Sequence, residues 1–229
     1  MTENSLYRGG NLRKLTELTI REALNPEPQP PDAVPKLDLP LPIVMRHRNA
    51  AVLVPLIAGP HGWQVLFTRR TGTVADHKGL VSFPGGAVEA NDNGPAETAT
   101  REAWEEIGLP RGQTCICGYL DNLVELSGFT VTPVIGIIPW PFEVRHSESE
   151  VSRTFTIPLD WLADEKNYRT RHFEDREKPA MARDVVFYDE YDGETVWGMT
   201  AYITIGLVQH LLHKQMTWSE IFEMLKNKH

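Results

Sequence analysis

The feature that most constrains the fold is a helix with two marked ends that directly follows a glycine turn. Pro84-Gly85-Gly86 ends any strand before it, and Pro95 suits the first turn of a helix. Gly108 suits the position just past the end of that helix. The sequence therefore predicts a strand, a sharp turn and a helix in succession. The helix has an apolar stripe of small residues at helical spacing: Ala96, Ala99, Ala103 and Ile107.

Three glutamates on this helix give the strongest chemical signal in the chain. Glu102, Glu105 and Glu106 are spaced i, i+3 and i+4, so they can face the same way. Such like-charge neighbours cost about 0.2–0.5 kcal/mol per pair, and the helix dipole disfavours them in the last turns. A divalent cation would offset this cost, and Mg²⁺ bridges carboxylates to phosphates. The bare backbone of Gly85-Gly86 can approach metal and phosphate closely. Taken alone, the pattern is equally typical of a solvated helix face.

The surrounding residues resemble the Nudix box, which is a glycine, a carboxylate and then Arg-Glu-apolar-x-Glu-Glu-x-Gly-apolar. The second half of this pattern runs here from Arg101 to Leu109. In the first half, Asp92 takes the carboxylate place counted from Gly86, with one extra residue before Arg101. That insertion leaves the role of Asp92 open. The resemblance implies an α/β fold, a Nudix-type α/β/α sandwich with a mixed β-sheet, and hydrolysis of a nucleoside diphosphate derivative.

The resemblance also implies roles for individual residues. Glu102, Glu105 and Glu106 would bind Mg²⁺ or Mn²⁺, with the Gly85 carbonyl as a further ligand. Glu105 and Glu106 would be catalytic, and Arg101 would orient the carboxylates. The metal would neutralise the diphosphate and lower the pKa of a bound water. The general base would be a glutamate of the box or of a later loop, and the loop candidates are equally typical of ordinary surface carboxylates: Glu125, Glu148 and Glu150.

A second group of motifs looks like the coenzyme A diphosphatase branch of the same family. It comprises Leu66–Arg70, His77–Gly86 and shorter stretches between Arg48 and Ala201. Ala75 and Leu80 depart from it, because that branch carries an arginine and a glutamine there. Arg binds phosphate through a fixed fork of donors, so its absence puts one phosphate contact in doubt. The expected substrate-binding residues are Arg69, Arg70, His77 and Lys78.

Three functions follow from these motifs. The leading one is cleavage of coenzyme A or an acyl derivative to phosphopantetheine and adenosine 3′,5′-bisphosphate. The second is a Nudix diphosphatase for ADP-ribose or a dinucleotide, which Ala75 and Leu80 keep open. The third is an inactive ligand-binding regulatory module, and the intact glutamate cluster argues against it.

The chain divides at about residue 40 on composition. Residues 1–40 are an expected extension, with a short helix within 11–25 and a proline-rich connector. Residues 41–229 are the expected Nudix hydrolase domain with a helical C-terminus from Thr200 to Lys226. The expected strands are 51–57, 64–69, 80–83, 115–120, 130–138 and 153–157, followed by a hairpin of 185–188 with 195–197.

Composition restricts the partners. The net charge of −8 disfavours nucleic acid, so the predicted partner is a small nucleotide diphosphate whose charge a cation offsets. No segment reads as a membrane span or a secretory signal, and we expect a cytoplasmic enzyme without a membrane partner. Cys115 and Cys117 read as strand residues with no disulfide. A homodimer is compatible with these patterns.

Overall fold

The computed structural model describes residues 12–30, 33, 48–71, 79–124, 128–173, 183–212 and 216–226. The strands are β1 (Arg48–Gly59), β2 (Gly62–Arg70), β3 (Val81–Ser82), β4 (Gly85–Ala87), β5 (Cys115–Tyr119), β6 (Leu123–Val124), β7 (Phe129–Ile137), β8 (Val151–Pro158), β9 (Tyr168–Phe173) and β10 (Arg183–Tyr188). The helices are α1 (Glu17–Ala23), α2 (Pro95–Ile107), α3 (Leu159–Ala163), α4 (Gly198–Leu211) and α5 (Trp218–Lys226), with 3₁₀ turns at Leu12–Lys14 and Glu165–Asn167.

A mixed sheet forms the centre of the fold. Its main path runs β3-β2-β1-β7-β5, with β4 paired to β1, β6 to β7 and β8 to β2. β1 and β7 are parallel, whereas β1 is antiparallel to β2 and β4. The predicted α/β class and mixed sheet are confirmed.

Helices cover both faces of the sheet. Successive side chains along a strand point to opposite faces, so one strand contributes to two apolar clusters. On β1, Ala51 and Leu53 pack in the apolar cluster that contains α2, whereas Val54 and Leu56 pack in the cluster that contains α4. On α2, Ala99 is fully buried against this sheet. Small side chains there let the helix backbone approach the strands closely. The result is a helix–sheet–helix sandwich.

Two parts of the second half differ from the sequence prediction. β10 pairs with β9 along its whole length. The predicted partner segment 195–197 meets β10 through the Phe187–Trp197 bridge, a hydrogen bond from the Tyr188 N–H to the Val196 carbonyl, and the stacked rings of Phe187 and Trp197. The predicted C-terminal helix is two helices, because α5 turns back onto α4. A Cβ at Gly206 would lie 2.4 Å from the Trp218 ring, so this glycine admits the indole between the two helices.

The N-terminal extension packs onto the sandwich. Ile20 of α1 and Leu24 are buried in the same apolar cluster as α4. Asn25 and Tyr119 exchange two backbone hydrogen bonds, of 3.1 and 2.9 Å, so the extension continues the sheet beside β5. Asn122 is fully buried and its amide donates to the Pro30 carbonyl at 2.9 Å. Residues 12–30 are thus part of one body with the sheet, and the predicted boundary at residue 40 lies outside the described residues.

Within the described ranges, no helix has both the length and the apolarity needed to cross a bilayer.

Candidate active site

The glycine turn brings backbone directly against the glutamate helix. Gly86 pairs with Ala51 and Gly85 with Val52, which places the turn at the edge of β1 beneath α2. A Cβ at Gly86 would lie 2.3 Å from Oε1 of Glu102, and one at Gly85 would lie 2.4 Å from the Ala51 carbonyl oxygen. Any larger residue at either position would push the helix or the strand away. The two glycines therefore set the distance between the carboxylates and the turn.

Arg101 joins the helix to the turn through five contacts. Its Nε and Nη2 donate to the two carboxylate oxygens of Asp92, at 3.1 and 3.0 Å. Nη2 also donates to the Ala87 carbonyl at 3.0 Å. Nη1 donates to Glu102 at 2.9 Å and to Glu105 at 3.2 Å. The guanidinium thus orients two of the three predicted metal ligands and holds the loop before the helix.

Asp92 pairs with Arg101 although one extra residue lies between them in the motif. Its carboxylate also accepts the Glu89 backbone N–H at 2.9 Å and the Thr98 hydroxyl at 2.8 Å. These partners, above all Arg101, lower the pKa of Asp92 to about 2. Gly94 precedes the helix at φ 141°, a conformation that glycine tolerates and L side chains rarely adopt. This glycine lets the loop accommodate the insertion while Asp92 still reaches Arg101.

Glu106 is the most buried acid of the site. Its residue is 3% exposed, and burial raises the pKa of its carboxyl to about 8. The charge of Arg70 and a hydrogen bond from the Gly85 N–H oppose that rise. Burial also raises the pKa of Glu102. The ionised forms of these two neighbouring carboxylates are therefore unfavourable without additional positive charge. A bound cation would supply that charge.

The loop before β8 brings another acid to this pair. The Ser147 N–H donates to the Glu106 carbonyl at 2.9 Å, which ties the loop to the end of α2. The Thr71 N–H donates to the Glu150 carbonyl at 2.9 Å, which ties it to the end of β2. Held in this way, the Glu150 carboxylate contributes to the raised pKa of both Glu102 and Glu106. Of the two loop candidates that the structure describes, Glu150 is the one whose charge acts on Glu102 and Glu106.

The two arginines that end β2 have different neighbours. The charge of Arg70 lowers the pKa of Glu106, and the Arg70 Nε is buried with no hydrogen-bond partner among the described residues. Arg69 donates instead to both carboxylate oxygens of Glu194, at 3.1 and 3.2 Å. Glu194 is 4% exposed and also accepts a bond from Arg153. Arg70 is thus brought to the site, whereas Arg69 serves an ion-pair network with the 191–194 turn.

The remaining candidate residues are either exposed or lie outside the described residues. Glu105 is 46% exposed at its side chain and pairs with Arg101 and Arg111. Glu148 is exposed. His77 and Lys78 lie outside the described residues, as do Ala75 and Glu125.

The donor set fits a hard divalent cation of the kind that keeps several waters. In the described part of the chain, no three acidic, histidine or cysteine side chains converge into a closed cage. Arg101 forms ion pairs with Glu102 and Glu105, and these two carboxylates therefore lie against its guanidinium. Mg²⁺ is commonly bound by one or two carboxylates together with substrate phosphates, so an open set is appropriate. The raised pKa values of Glu102 and Glu106 and the tight fit at Gly86 are the observations that favour this.

Comparison with known proteins gives a consistent result. The family model described as the NUDIX domain matches residues 46–174. A protein of Pectobacterium atrosepticum called "Uncharacterized Nudix hydrolase NudL" is 38% identical over 176 residues, which are 75% of this chain and 89% of that protein. The protein of the same name from Escherichia coli K12 is 37% identical over 167 residues, 73% of this chain and 82% of that protein. Among solved structures, the Nudix hydrolase RenU from M. smegmatis is 24% identical with a TM-score of 0.43, and the match covers 52% of this chain and 74% of RenU.

Proposed function

Because the chain belongs to the Nudix hydrolase family, we propose that it cleaves the diphosphate of coenzyme A or an acyl-coenzyme A, using Mg²⁺ or Mn²⁺. Water adds to one phosphorus atom and the bridging oxygen leaves with the other phosphate. The products are a phosphopantetheine and adenosine 3′,5′-bisphosphate. The upstream motifs Leu66–Arg70 and His77–Gly86 favour this substrate within the family.

The observation that carries the proposal is the buried pair Glu102 and Glu106 beside the Gly85-Gly86 turn. Both carboxyls have raised pKa values because burial exceeds the compensation that Arg70 and Arg101 supply. Two buried acids alone would repel a polyanionic substrate. A cation bound at these acids would reverse the sign of the local electrostatic field and allow the diphosphate to bind. When bound, the cation would neutralise the diphosphate and make a water more acidic.

The side chains of this chain have separate tasks in the proposed reaction. Glu102, Glu105 and Glu106 would hold the cation, and Arg101 keeps the first two in place. The Arg70 guanidinium is placed to donate to a diphosphate oxygen, because its buried Nε has no other partner in the described structure. The backbone carbonyl of Gly85 would be a further ligand. Little covalent chemistry is needed from the protein, since positioning and charge stabilisation carry diphosphate cleavage.

We assign the general base to Glu150. Its loop is anchored to α2 and to β2, and its charge acts on both Glu102 and Glu106. A base must lie within reach of the water that it deprotonates, and this carboxylate lies beside the cation ligands. Glu150 Oε accepts the proton of the attacking water and later returns it to solvent.

The test is hydrolysis of a panel of nucleotide diphosphates by the purified full chain. Coenzyme A, acetyl-coenzyme A, 3′-dephospho-coenzyme A, ADP-ribose and a diadenosine polyphosphate are each incubated with Mg²⁺, with Mn²⁺ or with chelator, and products are identified by mass spectrometry. We expect adenosine 3′,5′-bisphosphate and phosphopantetheine from coenzyme A, only with metal. Glu143→Gln is the control, because Glu143 is an exposed acid that pairs only with Arg145 among the described residues.

Two results would contradict the proposal. Turnover that survives exhaustive chelation would remove the metal from the mechanism. Faster cleavage of ADP-ribose or of the dinucleotide than of coenzyme A would leave a Nudix hydrolase with a different substrate.

A further inference from the structure

Arg48 has an unusual environment for an arginine of an acidic protein. It begins β1 and is exposed, and its guanidinium carbon lies 4.2 Å from the centroid of the Phe129 ring on the adjacent strand β7. Among the described residues, no carboxylate and no hydrogen-bond acceptor pairs with that guanidinium. Most other arginines whose side chains are described form ion pairs, as Arg69 does with Glu194 and Arg153 with Asp192.

The stacking fixes the orientation of the guanidinium while its donors stay available. The ring holds the guanidinium carbon over its face, and the N–H donors of that guanidinium form no hydrogen bond with a described residue. The ring also removes rotamer freedom that binding would otherwise cost. Arg48 is therefore a preorganised cation with no partner within the described chain, in a protein whose net charge is −8.

Arg48 lies at the end of the sheet that carries the candidate active site. Ala50, two residues along β1, pairs with Ala87, whose carbonyl accepts a bond from Arg101. Two strand residues span about 7 Å, so the Arg48 backbone lies about 7 Å along β1 from the residue that pairs with Ala87. By alternation Arg48 shares the face of Val54, opposite α2. A ligand that contacts both Arg48 and the candidate active site on the α2 face must therefore pass around the end of the sheet.

We propose that Arg48, held on Phe129, binds a phosphate monoester of the substrate that is separate from the diphosphate. This inference rests on the proposed function and identifies one specificity residue for it. A phosphate monoester carries close to two negative charges and three acceptor oxygens, which suits a free guanidinium fork. In a coenzyme A substrate that group is the 3′-phosphate of the ribose, which ADP-ribose and 3′-dephospho-coenzyme A lack.

The first arm of the test measures substrate preference. With metal, Arg48→Gln should lower kcat/KM for coenzyme A by about ten- to a hundredfold, the scale of one lost charge-assisted hydrogen bond, and mainly through KM. Cleavage of 3′-dephospho-coenzyme A should change by less than about twofold. Phe129→Leu keeps the cation and removes its support, so it should produce a smaller loss for coenzyme A alone.

Arg171→Gln is the matched control. Arg171 is also exposed and also stacked, 5.1 Å from the centroid of Phe187, but on the separate β9–β10 hairpin. It should leave both substrates unaffected. An equal loss with Arg171→Gln, or an equal effect of Arg48→Gln on both forms of coenzyme A, would overturn the assignment while the diphosphatase activity stands.

The second arm does not depend on catalysis. Calorimetry without metal compares adenosine 3′,5′-bisphosphate with adenosine 5′-monophosphate as ligands of the full chain. The wild-type protein should bind the bisphosphate more tightly, and Arg48→Gln should abolish that difference. If coenzyme A is not cleaved at all, the proposed function fails, and this arm still decides the role of Arg48: equal affinity of the wild type for the two ligands would overturn it.

Discussion

Glu106 is the residue where burial and charge conflict most strongly. Its carboxyl is almost fully buried, and Glu102 and Glu150 add negative charge to its surroundings. The charge of Arg70 opposes the resulting rise in the pKa of Glu106. A buried acid in this condition stores unfavourable energy in the metal-free protein, and cation binding releases that energy as affinity.

Glu106→Gln should therefore inactivate the enzyme and stabilise the metal-free protein. The unfolded chain loses this proton near pH 4.5, whereas the folded protein keeps it to about pH 8. Between these values the folded state binds more protons, so stability falls as pH rises, by about 1.4 kcal/mol per pH unit. Denaturant titrations of Glu106→Gln across that range should lack this slope, and kcat with metal should fall at least about a hundredfold.

Glu105→Gln is the control for the stability measurement. Its side chain is 46% exposed, so the pH slope of the wild type should persist while kcat falls with the loss of a proposed metal ligand. A wild-type slope that survives in Glu106→Gln would show that another group is responsible.

Glu150→Gln tests the proposed general base. Loss of a base typically lowers kcat by about a hundredfold to ten-thousandfold, with little change in KM. Glu148→Gln, two residues away on the same loop and exposed, should behave like wild type. Equal kcat values for the two variants would transfer the base to another acid.

At the scale of elements, the ion pair of Arg101 with Asp92 ties α2 to the loop before it. Arg101 and Asp92 are both largely buried, with 11% and 4% of their side chains exposed. Asp92 lies in the loop and Arg101 in the helix, so their pair sets the position of the helix relative to the glycine turn. Glu102 and Glu105 depend on that position, since Arg101 holds both.

Asp92→Asn tests how much this ion pair contributes to the stability of the fold. It keeps the size of the side chain but leaves Arg101 without its strongest partner, so the free energy of unfolding should fall by about 1–3 kcal/mol. The pKa of Asp92 is lowered to about 2, so its contribution is complete above about pH 4 and disappears as pH falls towards 2. Wild type and variant should therefore converge in acid. Glu143→Gln, which removes a fully exposed pair with Arg145, should have no detectable effect.

The elements that could be predicted from sequence are those with local signals. Pro95, Gly108 and the small-residue stripe define α2, and its bounds agree with the prediction. β1, β2 and β7 were found because their apolar residues are bounded by turns. β9 was missed because its exposed residues are Arg169, Arg171, His172 and Phe173, which give no apolar alternation. Its pairing with β10 depends on tertiary contacts that no local pattern contains.

The candidate site was predictable to the same extent. Spacing along one helix indicated the glutamates, but it carried no information on which is buried, and only the packed structure distinguishes Glu106 from Glu105. Arg69 and Arg70 are equivalent in sequence and lie beside different partners, because neighbouring strand residues point to opposite faces. Arg48 stood at the start of a stretch similar to the coenzyme A diphosphatase branch, but no role followed for it from sequence, since its distinguishing feature is a ring on another strand.

At the scale of the whole molecule, the extension and the catalytic sheet share one core. Asn122 connects them: it donates to the Pro30 carbonyl and accepts from Thr132 of β7. Asp121 accepts from Gln29 through its carboxylate and from the Trp218 indole through its backbone carbonyl. The N-terminal segment and the last helix thus meet at the same loop between β5 and β6.

If this extension is an integral part of the domain, damage to its buried face must destabilise the entire fold. Ile20 is fully buried, and Leu18, two residues earlier on the same helix, is 64% exposed. Ile20→Ala should lower the free energy of unfolding by about 2–4 kcal/mol, whereas Leu18→Ala should change it by less than about 0.5 kcal/mol. Denaturant titration followed by near-ultraviolet circular dichroism measures both, and the diphosphatase assay should lose activity at the same denaturant concentration as the spectrum changes. Ile20→Ala with wild-type stability, or activity that outlasts the tertiary signal, would instead identify residues 12–30 as a separable segment and support a domain that begins beyond residue 40.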